Sequence, residues 1–310
     1  MRYVEIDGAR LSAIGLGTWQ FGSREWGYGD EYARVTSPAI VRRALELGVT
    51  LIDSAEVYGL GRSERIIGRA LDGRRDQAFL ATKLMPILPL PRVVEWRARA
   101  SADRLGVKTI DLYQLHWPNP IVPPRTAMKG VRRLMDAGLV RHAGVSNYSL
   151  KGWRVAERAL GRPVLSNQVR FSLASPGARW DLVPYARERG RVVIAYSPLG
   201  QGLLGGHVAT GSAGRGPGVR RMNPLYRPRA LRLAAPLLDE IAAVAAAHRA
   251  TTAQIALAWL IAHENVVAIP GASSIDQVEE NAAAADIVLS AEEHERLTRV
   301  ADRFDAALRG

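Results

Sequence analysis

Val49-Thr-Leu-Ile-Asp53-Ser-Ala-Glu-Val-Tyr58-Gly59 is the stretch from which the rest of the chain can be read. Its first half is a short apolar run after Gly48, a residue placed to end a helix, and reads as a buried strand. Its second half offers a carboxylate, a phenol and a glycine turn. With Asp53 at the C-terminal end of a strand and Tyr58 five residues further on in the following loop, both side chains can face one site above a sheet or barrel. The plain alternative is an Asp capping a turn and a Tyr packing on a loop. Whether partners recur at the ends of later strands decides between the two.

Working outward, the same apolar-then-polar pattern repeats. Residues 2–6 and 10–13 flank Asp7-Gly8, the usual dipeptide of a tight hairpin, so the chain opens with a small β-hairpin. Buried strands are expected at 13–17, 49–53, 78–82, 110–115, 141–145, 164–168, 192–196 and 266–269. Amphipathic helices are expected at 37–47, 63–72, 91–105, 125–137, 149–160, 178–189, 235–248 with 252–263, and 275–284. Strands that alternate with helices predict a parallel sheet whose crossovers are all covered. Eight repeats favour an α/β fold closed into a (β/α)8 TIM barrel, with the hairpin plugging its N-terminal end. No linker or composition shift divides residues 1–310, so a single domain is expected. The tail, 290–307, begins Ser290-Ala-Glu-Glu293, a capping-box pattern, and reads as an extra C-terminal helix. Gly200 to Gly218 is Gly-rich and reads as either disordered or a mobile flap over a site.

Composition narrows the function. The formal net charge of the 310 residues is +12, but only four of the 42 basic residues are Lys. The Arg are scattered along predicted helices, and no run of five or six like charges occurs, so they read as solvated helix faces with no nucleic-acid partner. The absence of Cys excludes disulfides, thiolate catalysis and cysteine metal sites. No apolar run is long enough to span a bilayer, and the first residues lack the apolar core of a signal peptide, so a cytoplasmic protein without a membrane partner is expected. In a chain that writes Arg almost everywhere, Lys83 at a strand end marks a place that needs a compact ammonium.

A barrel concentrates chemistry at the C-terminal ends of its strands. Those ends hold Trp19, Asp53 with Tyr58, Lys83, His116-Trp117, Ser146-Asn147, Gln168, Tyr196-Ser197 and Pro270-Gly271. Other motifs fail. Gly144-Val-Ser146-Asn-Tyr148 has Tyr where a nucleophile elbow needs Gly, no G-x-G-x-x-G follows a strand, and the Gly-rich loop lacks the G-K-[ST] of a P-loop. The six His (116, 142, 207, 248, 263 and 294) contain no His-Glu-x-x-His pair, so no metal is expected. A carboxylate, phenol, lysine and histidine around one pocket suit proton transfer. Tyr is a poor acid at its ordinary pKa near ~10. A Lys ammonium beside it, held by the carboxylate, is expected to lower that pKa. His116 can orient a carbonyl oxygen toward Tyr58, which then protonates a developing alkoxide. The hydride that creates an alkoxide must come from a nicotinamide cofactor. Lys83 would also suit the Schiff-base lysine of a barrel lyase.

At this point the chain resembles the aldo-keto reductase family over essentially its whole length. The resemblance is carried by Gly15-Leu-Gly17-Thr18-Trp19, Asp53-Ser-Ala-Glu-Val-Tyr58-Gly59, Ala81-Thr82-Lys83, Gln114-Leu-His116-Trp117-Pro118, Gly144-Val-Ser146-Asn147-Tyr148, Asn167-Gln168, Tyr196-Ser197-Pro198-Leu199-Gly200, Ile269-Pro270-Gly271 and Glu280-Asn281. It implies Asp53, Tyr58, Lys83 and His116 as a catalytic tetrad, with Tyr58 the general acid in NADP(H)-dependent reduction of aldehydes or ketones. It further implies that Ser146, Asn147 and Gln168 bind the nicotinamide carboxamide and that Tyr196 stacks beneath the ring. Ser197, Pro198, Leu199 and Gly200 would follow the pyrophosphate, while Gly271, Ala272, Ser273, Gln277, Glu280 and Asn281 hold the adenosine end. Trp19 belongs to both the cofactor and substrate walls. Trp19, Trp26, Tyr28 and Trp117 would shape a pocket for a bulky apolar or aromatic carbonyl compound.

Two departures stand out. Where many members place Lys or Arg for the NADP 2′-phosphate, this chain has Gly271-Ala-Ser-Ser274 and then Gln277. NADPH is the expected cofactor, with NADH possible. Arg170 stands where the family more often has an acidic residue, and sequence alone assigns it no role. The same barrel serves as a redox-sensing auxiliary subunit of potassium channels, so a cofactor-binding regulatory protein is the alternative.

Overall fold

The computed structural model describes residues 1–22, 28–206 and 223–309. Trp26 and the part of the Gly-rich segment from 207 to 218 lie outside them. The chain opens with a hairpin of β1 (Tyr3–Ile6) and β2 (Ala9–Ser12), antiparallel, with Ile6 opposite Ala9. Both turn residues have positive φ, Asp7 at 51° and Gly8 at 74°. That is the backbone a two-residue hairpin turn needs to match the strand twist, and Asp-Gly adopts it at little cost.

Eight parallel strands follow: β3 (Leu16–Gly17), β4 (Leu51–Asp53), β5 (Phe79–Leu84), β6 (Ile110–Leu115), β7 (Val140–Ser146), β8 (Val164–Arg170), β9 (Val192–Tyr196) and β10 (Val266–Ala268). Each pairs with its neighbours in chain order. The sheet closes because Ile14 bridges to Ala268 and Gly17 to Gly271, with Gly15 N donating to Ala268 O at 2.7 Å. The expected barrel is therefore present. On β8 the pairing with β7 skips Leu165, since Ala143 faces Val164 and Gly144 faces Ser166. This bulge lets Leu165 and Ser166 both contribute to the interior.

The covering helices are α1 (Ser37–Glu46), α2 (Arg62–Ala70), α3 (Pro91–Leu105), α4 (Pro124–Asp136), α5 (Leu150–Leu160), α6 (Leu182–Arg189), α7 (Pro228–His248), α8 (Thr252–Ile261) and α9 (Ile275–Ala283). Three details differ from expectation. A π-helical turn, Tyr32–Thr36, runs directly into α1. The segment expected as helix from 178 is a 3-10 turn, Pro176–Trp180, before α6. Helix α7 begins at Pro228, well before residue 235, because proline at a first helical position has its φ already set and gives up no needed N–H. The extra helix α10 (Ala291–Arg309) packs on α7. Its capping box forms as the sequence anticipates: Ser290 N donates to Glu293 Oε2 at 2.8 Å and Glu293 N to Ser290 Oγ at 3.2 Å.

Apolar burial is layered. Inside the barrel, Leu51, Phe79, Leu112, Val192 and Val267 meet Ala9 and Leu11 of the hairpin, which plugs the N-terminal end. Ser12 pins that plug, its Oγ accepting from Thr50 N at 3.0 Å and Leu51 N at 3.2 Å. A larger apolar shell lies between strands and helices, with Trp153 and Trp259 fully buried in it. No helix among the described residues is long and apolar enough to cross a membrane.

Candidate active site

The apolar filling of the barrel stops one layer below its C-terminal mouth, where β4 and β5 place Asp53 and Lys83, both fully buried. Strand alternation aims them inward, each two residues beyond an apolar interior residue, Leu51 and Ala81. Lys83 Nζ donates to Asp53 Oδ1 at 2.5 Å and to Ser54 O at 2.7 Å. The other Asp53 oxygen accepts from Gln168 Nε2 at 2.8 Å and Gln114 Nε2 at 3.4 Å. A buried ion pair survives loss of water only when its remaining polar positions are satisfied, and this set satisfies them. Burial opposes the Lys83 ammonium, but Asp53 and Tyr58 outweigh it and raise its pKa above the ordinary lysine value. Burial likewise pushes the Asp53 carboxyl up, with Lys83, Gln168 and Gln114 pulling it back. An ammonium held protonated in this way does not suit a Schiff-base nucleophile.

Tyr58 reaches the pair from the turn after β4. Its Oη lies 3.4 Å from Lys83 Nζ. The turn is closed by Tyr58 N donating to Ala55 O at 3.0 Å. Gly59 follows at φ +55°, where an added Cβ would come within 2.3 Å of Gly22 O, so the segment from Trp19 to Gly22 can pack against it only if residue 59 is glycine. The Tyr58 pKa departs from expectation. Loss of water around the hydroxyl raises it, and this outweighs the lowering by Lys83. Tyr58 is thus a protonated phenol at neutral pH, and Lys83 reduces the cost of losing that proton.

His116 follows β6, its ring 6.0 Å from that of Tyr58 and edge-on to it. Burial, then the Lys83 charge, lowers its pKa to about 3. It is neutral at physiological pH, and its buried Nδ1 has no hydrogen-bond partner among the described residues. A neutral imidazole beside a phenol can hold a carbonyl oxygen without competing for the proton.

Asn147, at φ 63°, joins the next two strands to His116. Its Nδ2 donates to His116 O at 3.1 Å and Ser146 Oγ at 2.9 Å, and its Oδ1 accepts from Tyr196 Oη at 2.9 Å. Ser146 Oγ donates to Gln168 O at 2.9 Å. Gln168 spends its amide nitrogen on Asp53 and keeps Oε1 without a partner among the described residues. Ser146, Asn147, Gln168 and Tyr196 therefore form one polar wall beside the tetrad. Beyond it, Ser197 (φ 49°) ends the strand and Gly200 (φ 57°) bends the backbone again after Pro198 and Leu199.

The 271–281 segment is tied together from within. Ser273 N and Oγ both donate to Gln277 Oε1, at 2.8 and 2.9 Å, and Asn281 Nδ2 donates to Gly271 O at 3.3 Å. Ala272 turns its methyl into the core, while its carbonyl accepts from Gln20 Nε2 and Tyr32 Oη. The Glu280 carbonyl accepts from Gln254 Nε2 at 3.1 Å. Tyr28 stacks on Tyr32 at 4.3 Å, which associates it with this segment. Trp19, tilted against Tyr58 at 6.5 Å, and Trp117, stacked on His116 at 6.5 Å, flank the mouth, both partly exposed. Among the described residues no group of three or more His, Asp or Glu could hold a metal ion.

Sequence reasoning missed the supports. Glu56 Oε1 accepts from Met85 N at 2.5 Å, and its Oε2 accepts from Arg97 Nε at 2.9 Å. This clamps the Tyr58 turn to the chain just past Lys83. Behind it, fully buried Glu64 accepts from Thr82 Oγ1 and Arg104 Nε, both at 2.6 Å. Glu56 stands inside the stretch read first, but its partner lies a helix away, and nothing local in the sequence signals the pair.

The model of the Aldo/keto reductase family matches residues 13–302. The uncharacterized oxidoreductase Rv2298 of Mycobacterium tuberculosis is 56% identical over 98% of this chain and 94% of that protein. Methylglyoxal reductase YeaE of Escherichia coli is 34% identical over 91% of this chain and 88% of its own length. Among solved structures, an aldo/keto reductase from Klebsiella pneumoniae in complex with NADP and acetate superposes with a TM-score of 0.76 at 32% identity, covering 96% of this chain and 94% of that one. With a family match spanning nearly the whole barrel, and relatives that share its sequence, the chain belongs to the aldo/keto reductase family.

Proposed function

We propose that this protein reduces aldehyde or ketone groups to alcohols with NADPH. The observation that carries the reading is the Tyr58 hydroxyl beside the Lys83–Asp53 pair, with a neutral His116 across from it, at the mouth of the barrel. Bound nicotinamide supplies the hydride; the remaining work falls to the chain. His116 orients the substrate oxygen. Tyr58 donates its proton to that oxygen as negative charge develops, and Lys83 stabilises the phenolate left behind. Asp53 holds Lys83 in place and keeps it charged. The unpartnered Gln168 Oε1 fits a carboxamide NH2, and the Tyr196 ring beside it fits an aromatic face.

The NADP complex of the Klebsiella pneumoniae neighbour supports the choice of cofactor. The oxidoreductase and reductase names of the relatives favour an enzyme over a regulatory subunit. Trp19 and Trp117 at the rim favour a carbonyl compound with an apolar or aromatic body. The test is a panel of aldehydes and ketones assayed with NADPH and NADH in parallel. NADPH oxidation that depends on the carbonyl compound supports the reading. Tight NADPH binding without turnover on any member would return the regulatory alternative.

A further inference from the structure

Two carboxylates of the 53–64 segment reach across to β5 and land on either side of Lys83. Glu56 lands beyond it, with Oε1 accepting from Met85 N at 2.5 Å. Glu64, on α2, lands before it, accepting from Thr82 Oγ1 at 2.6 Å. Tyr58 hangs between these anchors. The base of its turn is closed by Ser54 Oγ donating to Ser63 Oγ at 3.0 Å. Within that closure, among the described residues, the side chains from 55 to 62 that hydrogen-bond to residues 79–85 are those of Glu56 and of Tyr58 itself.

Arg97 makes the Glu56 anchor stiff. From α3 its Nε donates to Glu56 Oε2 at 2.9 Å, its Nη2 to Glu56 Oε1 at 2.5 Å and its Nη1 to Met85 O at 2.8 Å. Both backbone groups of Met85 are thus engaged, one by the carboxylate and the other by the guanidinium that the carboxylate holds. A planar guanidinium paired in this way fixes direction as well as distance. Only 9% of the Glu56 side chain and 17% of the Arg97 side chain are exposed, so water does not readily take the place of either partner. Neither side chain bonds to Asp53, Tyr58, Lys83 or His116 among the described residues.

The chemistry of the site is sensitive to what this anchor controls. The Tyr58 hydroxyl stands 3.4 Å from Lys83 Nζ, at the long end of a hydrogen bond. With an effective dielectric constant of about 20, a retreat of about 1 Å would weaken the hold of the ammonium on the phenolate enough to raise the phenol pKa by roughly 0.8. A reacting group misplaced by about 1 Å can lose about 10²-fold in rate. We infer that the Glu56–Arg97 pair is a positioning device for the proton donor: by fixing the Tyr58 turn to Met85, it sets how close the Tyr58 hydroxyl stands to Lys83 and to the substrate oxygen. The inference rests on the proposed reaction, which it deepens by adding two residues that act only through Tyr58.

The experiment measures kcat and its pH profile for carbonyl reduction, together with NADPH affinity, in wild type, Glu56→Ala, Glu56→Gln, Arg97→Gln and Glu157→Ala. Glu157 forms a similarly covered pair with Arg191 on α5 and controls for a general loss of stability. Glu56→Ala is expected to lower kcat by about 10- to 100-fold with NADPH affinity within about twofold of wild type. Its alkaline fall in kcat should move to higher pH by about half to one pH unit, because the phenol has lost part of its contact with Lys83. A direct effect of charge has the opposite sign, since removing a carboxylate stabilises a nearby phenolate and moves the fall to lower pH. Glu56→Gln, which can still accept from Met85 N, should recover part of kcat, and Glu157→Ala should keep all of it. Should Glu56→Ala not fold, Arg97→Gln decides by kcat alone, with a smaller loss expected and an unchanged kcat counting against the inference. Wild-type kcat in Glu56→Ala, a fall displaced to lower pH, or an equal loss in Glu157→Ala would each overturn the inference while leaving the proposed reaction standing. Wild type that turns over no carbonyl compound would sink that reaction and the inference with it.

Discussion

The two ends of the barrel are made by the same eight strands and filled in opposite ways. At the N-terminal end, Leu11 and Ala9 of the hairpin meet Leu51, Phe79 and Val267, and the layer is apolar. A few residues further along the same strands, Asp53, Lys83, Gln114 and Gln168 occupy an equally dry layer with an ion pair and amides. The lower layer gains free energy simply by excluding water. The upper one costs desolvation, and is tolerable because nearly every polar atom in it has a partner. Stability and chemistry are therefore separated along the barrel axis, and substitutions at the two ends should fail differently.

The largest effect is expected at the upper end. Lys83→Met leaves the Asp53 carboxylate buried without its cation and should cost about 3–5 kcal/mol of unfolding free energy in urea titrations. Adding Asp53→Leu should restore most of that stability while activity stays lost. A double variant no more stable than the single one would show that the pair is not the source of the cost. At the lower end, Leu11→Ala opens a cavity in the plug and should cost about 2–5 kcal/mol. The active layer is not touched, so turnover per folded molecule should match wild type. A matching fall in turnover would mean that the ends are not separate.

A smaller effect separates the ends by pH. His116 has its folded pKa lowered from 6.5 to about 3 by burial and by Lys83. The unfolded chain therefore takes up a proton that the folded chain refuses. Stability from this group is complete above pH 6.5 and declines as pH falls toward 3. His263, under α10, is lowered to about 4 by burial and by His294, and adds to the same trend. Urea midpoints should drop between pH 7 and pH 5, whereas turnover should show no inflection at the ordinary histidine pKa. An inflection there that vanished in His116→Gln would contradict the neutral role given to this residue.

These contrasts also explain what sequence could and could not disclose. The strands and the convergence of Asp53, Tyr58, Lys83 and His116 were legible because periodicity and strand-end chemistry are local: 110–115 and 192–196 stand where the pattern put them. The start of α7 was missed because its first turns follow a Gly-rich stretch with no apolar period of its own. The direction of the Tyr58 pKa was misjudged because sequence displays a neighbouring Lys but not the loss of water around the hydroxyl, which proves the stronger influence. Glu56 with Arg97 and Glu64 with Arg104 were invisible as pairs, since helix packing alone brings them together.

In the proposed reaction Tyr58 donates the proton, and the other members of the site hold it, the substrate and the cofactor in place. Tyr58→Phe removes that donor alone, with turnover of an accepted carbonyl substrate and NADPH affinity measured on the same preparation. Turnover should fall at least about 10²-fold with NADPH affinity nearly unchanged, because the rest of the site is intact. Turnover close to that of wild type would contradict it.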